Sequence, residues 1–285
     1  IHVSGIGNNG DQLGRWFHDH LSVKAAVLQP RRRRPLLQQL APWYLGATRH
    51  TLKLESTAAW QAREGCLNVM GHLVFEAADA SGFNLLRQQL QARQSGCSHQ
   101  HMGRIPPLER LPAESLDVAY LAWKRFIRKR RWCPATGAIT IYLDTEQQPN
   151  PESRLRLSTD RDAIGMPKAL VQWQWGEMER HTFAAYRQLF ECQWKAWKYG
   201  PISWLESFEP SSGWNFNVSD TYHQMGGTRM ANSPVDGVVD AQLRVHGVDN
   251  LFVASCSVFP TGGNSNPTLT LMQLTLRLAQ LLKNA

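Results

Sequence analysis

The chain lacks most of the features that mark special protein classes. Its 285 residues contain no run of eighteen apolar positions, and mean hydropathy is −0.38. No membrane-spanning helix is expected from such a pattern, and no membrane partner. Cysteine is sparse: Cys66, Cys97, Cys133, Cys192 and Cys256 are odd in number, scattered, and without a C-x-x-C pair. That spacing suggests neither a disulfide framework nor a zinc site, and the usage fits a reducing compartment, hence an expected cytoplasmic location. The ten histidines do not show ligand spacing, and the close pair His99 and His101 lies in a polar stretch; no metal site is expected. There is no internal repeat, and no biased segment beyond one arginine run.

What is present is a globular composition, 42% hydrophobic and 19% charged, with its positive charge in two places. Arg31–Arg34 and the cluster Lys124, Arg125, Arg128, Lys129, Arg130 and Arg131 hold ten cations, more than the whole net charge of +8. Such clusters can meet phosphate. The arginine run has no interleaved aromatic on which a base could stack. It reads as a solvated loop between Pro30 and Pro35, the second cluster as the wet face of a helix, and a nucleic-acid partner is not expected.

Periodicity gives a coarse outline. Residues 68–77 alternate Val69, Gly71, Leu73 and Phe75 on one side, as a strand does. Helices are expected over 83–93 and 112–132, the second with Pro112 and Glu114 in its first turns and Lys/Arg at its C-terminal end. "AITIYL" (138–143) is a β-branched run. "RLRLS" and "ALVQWQW" (169–175) read as antiparallel strands around a turn rich in Asp, Gly and Pro. A helix over about 177–198 spaces Phe183, Tyr186, Phe190, Trp194 and Trp197 by helical turns. Leu251–Ala254 resembles a strand covered on both faces. Asn266 as cap and Pro267 as first residue open a last helix through Leu269, Met272, Leu276, Ala279 and Leu282. The tryptophans at 173, 175, 194, 197, 204 and 214 read as core.

Near the start, Gly5 to Gly10 spell G-x-G-x-x-G. A dinucleotide fingerprint needs a strand before it, a helix after it and an acidic residue beyond. Four residues precede Gly5, and arginines occupy 31–34. The segment is expected to be a turn.

Two stretches carry chemistry: "YHQMGGTRM" (222–230) and "TGGNSNPTLT" (261–270). His223-Gln224-Met225-Gly226-Gly227-Thr228-Arg229-Met230, then "GVDNLFVA" (247–254), then Ser257-Val258-Phe259-Pro260, then Asn266-Pro267-Thr268-Leu269-Thr270 together resemble the C-terminal half of the glucose–methanol–choline (GMC) oxidoreductases. "GRWFHDH" (14–20) and 146–158 resemble that family more loosely. Gly227 stands where the family usually has Thr, and Ala231, which would resist a positive φ, where it usually has Gly.

The resemblance implies an FAD-dependent enzyme that oxidises CH–OH groups of a small-molecule alcohol or sugar, with hydride transfer to the flavin N5. It places His223 as base and Asn266 as donor to the developing alkoxide, with Ser255, Cys256, Pro267, Thr268 and Leu269 at the cofactor. Imidazole suits the base because its ordinary pKa is near neutrality. The implied fold is α+β: an antiparallel-sheet substrate domain backed by helices, plus the last strand and helix of an incomplete α/β FAD-binding domain. The expected division is 1–35 as FAD-domain remnant and linker, 36–232 as substrate domain, and 233–285 as the C-terminal strand and helix of the FAD domain. The ADP-binding loop falls outside these 285 residues, so the chain is expected to be a C-terminal fragment that does not hold FAD alone. The competing reading is a non-catalytic or accessory chain that needs a separate flavin-binding half.

Overall fold

The computed structural model describes residues 5–76, 120, 122–131, 133, 137–213 and 215–284. The architecture is mixed helix and sheet. Its centre is a five-stranded antiparallel sheet in the order β4 (Lys53–Glu55), β5 (Val69–Phe75), β6 (Ile139–Thr145), β1 (Leu21–Leu28) and β9 (Ile202–Trp204). The neighbours β5, β6 and β1 are drawn from distant parts of the chain, so most of the ladder is non-local. Ile139, Ile141 and Leu143 of β6 are fully buried, which suits a strand paired on both edges. Two separate hairpins, β2 (Trp43–Leu45) with β3 (Thr48–His50) and β7 (Arg154–Arg161) with β8 (Pro167–Gln172), lie outside this sheet. The second is the antiparallel pair expected between 154 and 175.

The helix Glu177–Ala196 packs on the sheet through Phe183, Tyr186, Phe190 and Trp194, all buried; Trp197 is its C-cap and half exposed. Its first turn is closed by the Glu179 carboxylate, which accepts from the Gly176 amide at 2.7 Å. Tyr186 ties helix to sheet: its hydroxyl accepts from Gly71 N–H and donates to the Leu54 carbonyl. Gly71 is needed for that approach, since a Cβ there would lie 2.9 Å from Ile141 Cδ1 and 3.0 Å from the Tyr186 oxygen. Two shorter helices, α1 (Arg33–Leu40) and α2 (Ala58–Glu64), precede this one, which is therefore α3; the last is α4 (Thr268–Lys283). Thr57 caps α2 and left-handed Gly65 ends it.

A second core, Met225, Val238, Val239, Leu243, Val245, Val258, Phe259 and Leu278, joins α4 to the irregular chain before it. Gly5–Gly10 is a turn, as expected: Asn8 N–H bonds the Gly5 carbonyl at 3.2 Å, no helix follows, and Gly7 packs against Val238 and Val245.

Several expectations are corrected. Among the described residues 233–284 form no regular strand. Leu251 and Ala254 are exposed while Phe252 and Val253 pack partly buried against the second core, and the pairing of the segment is one antiparallel bridge, Arg244 with Phe252. No parallel neighbour lies beside it among the described residues, and a strand forms only where its backbone groups find partners. In α4 the inward residues are Leu271, Leu274 and Leu278, whereas Leu269, Met272, Leu276 and Leu282 face outward. Arg33 and Arg34 begin α1 rather than a loop, with Pro35 tolerated in the first turn. The expected helix 83–93, residues 112–119 of the next and Trp214 lie outside the described residues. Within 122–131 the chain makes one π-type turn, Trp123–Ile127, and then leaves the helix.

Candidate functional site

The site forms where the chain entering β1 meets the chain leaving residue 219. Two antiparallel bridges, His18 with Met225 and Ser22 with Ser219, bracket the contact. Their registers differ by two residues, and Tyr222 takes up the slack at φ +62 with its ring exposed. Between the bridges, His20 and His223 face one another. Gly226 permits the close crossing: it sits at φ +90, and a Cβ there would fall 1.9 Å from the Trp16 carbonyl oxygen and 2.7 Å from His18 Nδ1.

Asp19 organises the cluster. Its carboxylate, about 1% exposed, accepts from the amide of His20 at 2.6 Å, from the hydroxyl of Thr221 at 3.0 Å and from the amide of His223 at 3.1 Å. Gln147 accepts the Asp19 amide at 3.3 Å and the Trp173 indole N–H at 2.6 Å. His223 Nδ1 lies 2.9 Å from Thr221 Oγ1 and 3.1 Å from His20 Nδ1. Because the Thr221 proton goes to the carboxylate, the Thr221 oxygen accepts from His223 Nδ1–H. That hydrogen also points at His20 Nδ1, since two imidazole nitrogens can bond only if one of them carries the proton. The network therefore puts the His223 proton on Nδ1 and leaves the lone pair of Nε2 free. His20 then carries its proton on Nε2, which is buried against the backbone of Gly262. Burial, with the neighbouring His223 second, lowers the pKa of His20 against the pull of Asp19. Burial likewise lowers His18.

Gly262 links this cluster to a cavity of about 330 Å³ lined by Met230, Phe259, Gly262, Asn266, Pro267 and Thr270 among others. A Cβ at Gly262 would meet Met225 Cε at 2.6 Å. The loop beneath the cavity is anchored by buried Asn264, whose Nδ2 donates to Asn68 Oδ1 at 2.8 Å. Asn266 is exposed on the cavity wall, and its side chain makes no hydrogen bond among the described residues. Pro267, buried, takes the N-cap place of α4, one residue later than expected, and the amides of Thr268, Leu269 and Thr270 have no acceptor among the described residues.

The structure thus brings Asn266 and Pro267 to one cavity, with His20 touching its wall through Gly262. His223 is bonded to His20 and is not among the cavity-lining residues. Thr268 and Leu269 are exposed in the first turn of α4. Ser255 caps the turn Cys256–Val258 by accepting from Ser257 N–H at 3.2 Å. Burial raises the Cys256 thiol pKa. Asp19, His20, Thr221 and Asn264 were not singled out by sequence. The available signal was the Asp-His pair directly before the apolar run of β1. Gly227 and Ala231 both lie outside the left-handed region, so the alanine carries no backbone strain. Among the described residues no His, Cys, Asp or Glu cluster could hold a metal, and no helix is long and apolar enough to cross a membrane.

Residues 149–275 match the family model described as GMC oxidoreductase. The large subunit of fructose dehydrogenase from Gluconobacter japonicus is 36% identical over 147 residues, 51% of this chain and 25% of that protein. A 2-methyl-1,2-propanediol dehydrogenase from Mycolicibacterium austroafricanum is 31% identical over 144 residues, 49% of this chain and 24% of its own length. The matches span about a quarter of these curated relatives. Among solved structures, pyridoxine 4-oxidase from Mesorbium loti superposes with a TM-score of 0.52 at 16% identity, covering 97% of this chain and 44% of that one. That likeness concerns the fold.

Proposed function

From the match of residues 149–275 to the GMC oxidoreductase family model, we propose that this chain belongs to that family and is the substrate-facing part of an FAD-dependent oxidoreductase acting on a CH–OH group of an alcohol or sugar. One observation carries the reading: the Asp19–Thr221–His223 chain holds an imidazole with its outer nitrogen free for a proton, and His223 is bonded to His20, whose ring meets at Gly262 the wall of the cavity that holds the unbonded carboxamide of Asn266. The names of the relatives, a fructose and a diol dehydrogenase, point to the same substrate class.

The residues present fit a flavin. The start of α4 offers unpaired amides of Thr268, Leu269 and Thr270 with no side-chain cap, at the positive end of a 16-residue helix. Such an end suits the edge of a reduced flavin, where negative charge gathers. Pro267, Thr268 and Leu269 would hold that edge, with Ser255 and Cys256 on the preceding turn. Bound FAD supplies the two-electron acceptor that takes hydride from the substrate carbon. His223 Nε2 accepts the hydroxyl proton, and Thr221 and Asp19 keep its Nδ1–H in place as charge develops. The Asn266 NH₂ donates to the alkoxide, a contribution of about 3–4 kcal/mol for a well-placed donor in a dry site. A second reading, an accessory chain that works only with a separate flavin-binding half, draws on the outward apolar face of α4 at Leu269, Met272, Leu276 and Leu282.

Co-expression with a flavin-binding half tests both. The expected result is alcohol- or sugar-dependent dye reduction that is abolished in His223→Ala and falls about 10²–10³-fold in kcat in Asn266→Ala. Dye reduction indifferent to His223 overturns the catalytic assignment; a stable complex that reduces no dye leaves the accessory reading. The chain alone is expected to lose flavin on gel filtration, and a retained flavin spectrum overturns that expectation.

A further inference from the structure

We propose that the basic, aromatic-tipped face built from α1, the β2–β3 hairpin and residues 122–131 binds an anionic phospholipid surface. Three segments converge there. Residues 43–44 and 129–130 are joined by the bridge Trp43 with Arg130 and by Tyr44 N–H on the Lys129 carbonyl at 2.8 Å. The Arg125 guanidinium lies 3.7 Å from the Tyr44 ring centroid. Arg130 Nη1 donates to the carbonyl of Ala41, the C-cap of α1, at 3.3 Å, and the Arg131 N–H to the carbonyl of Pro42 at 2.8 Å, which joins the end of α1 to the other two segments.

The face combines two properties. Its charge has one sign: Arg31–Arg34, Arg49, Lys124, Arg125 and Arg128–Arg131 are present, while no Asp or Glu occurs between residues 20 and 54 or between 118 and 143. Its tips are apolar and in solvent: Leu45 is 69% exposed, Phe126 70% and Ile127 69%, with Tyr120 and Trp123 half exposed beside them. Among the described residues no helix is long and apolar enough to span a bilayer; the arrangement is that of a surface lying on one, with cations at the headgroups and side chains entering the acyl boundary. A polynucleotide would use the same cations, but two of its most exposed tips, Leu45 and Ile127, are aliphatic and offer no stacking platform. The rings already bear cations: Arg125 over Tyr44, Lys124 over Tyr120 and Arg128 over Trp123.

The test is co-sedimentation of the 285-residue chain with vesicles of phosphatidylcholine alone or mixed 3:1 with phosphatidylglycerol. Binding is expected to the anionic vesicles and not to the neutral ones. Replacement of Arg31, Arg32 and Arg34 by Glu should weaken it at least about fivefold per cation removed. The double variant Phe126→Glu, Ile127→Glu, and independently Leu45→Glu, should remove the binding that survives raised salt, with circular dichroism unchanged. The proposal is overturned by absent binding, by equal binding to neutral vesicles, or by binding that ignores all three apolar replacements. Tighter capture of a single-stranded oligonucleotide, indifferent to Phe126 and Ile127, also overturns it and assigns the face to nucleic acid.

Discussion

Acidification through the histidine range should destabilise this protein, and His18 and His20 should account for it. Both are about 1–2% exposed, and burial is the first cause of the lowered pKa of each. The sign follows from linkage: a histidine that resists protonation in the folded state binds fewer protons than in the unfolded chain. Its contribution is therefore complete above the unfolded value near 6.5 and is lost as pH falls toward the folded value. Between pH 6.5 and 5.5 one such group removes at most about 1 kcal/mol, and the two together at most about 2 kcal/mol, which is a sizeable share of an ordinary folding free energy. Urea unfolding at pH 7.5, 6.5 and 5.5, followed by far-UV circular dichroism, reads this as a fall in midpoint at constant slope. His20→Gln should remove up to half of the dependence. A midpoint that is flat or rises on acidification, or a His20→Gln variant that keeps the whole dependence, refutes the burial of these rings as the cause.

Three further outcomes are expected. Gly226→Ala forces a side chain onto the Trp16 carbonyl at a positive φ, and should cost about 3–4 kcal/mol in urea unfolding, from backbone strain and the two His18–Met225 hydrogen bonds it displaces. Tyr186→Phe removes the hydroxyl that bridges the Gly71 amide and the Leu54 carbonyl, two hydrogen bonds between helix and sheet, and should cost about 1–3 kcal/mol by the same assay. Asn264→Ala frees the loop under the cavity from Asn68, so amide exchange should quicken over residues 261–270 while β5 and β6 stay protected.

The elements that sequence made legible are those with a single consistent period. β5, β6 and α3 place apolar residues as their packing requires, and their burial follows; the β7–β8 pair was legible from its composition and turn, although Leu170 and Val171 of β8 stay exposed. The interior strand β1 escaped because "LSVKAAVL" mixes buried Ala25 and Ala26 with the half-exposed Lys24, and a shift of register there breaks alternation. Leu251–Ala254 misled in the opposite way: its composition is that of a buried strand, but composition cannot supply the neighbouring strand whose carbonyls and amides it needs. The outward leucines of α4 make the same point, since an apolar stripe shows that a helix has a covered side without showing which partner covers it.

At the site, sequence resemblance picked out His223 and Asn266, residues whose chemical types already suggest roles. It passed over Asp19, Thr221 and His20, because what they do depends on a contact between positions some two hundred residues apart. Short-range spacing cannot encode that contact; the antiparallel bridges at His18–Met225 and Ser22–Ser219 create it, and Gly226 allows it. The proton position on His223 is thus a property of the fold rather than of the motif. A chain could keep "YHQMGGTRM" letter for letter, lose Asp19, and be left with no fixed acceptor for the Thr221 hydroxyl and no set tautomer for the ring.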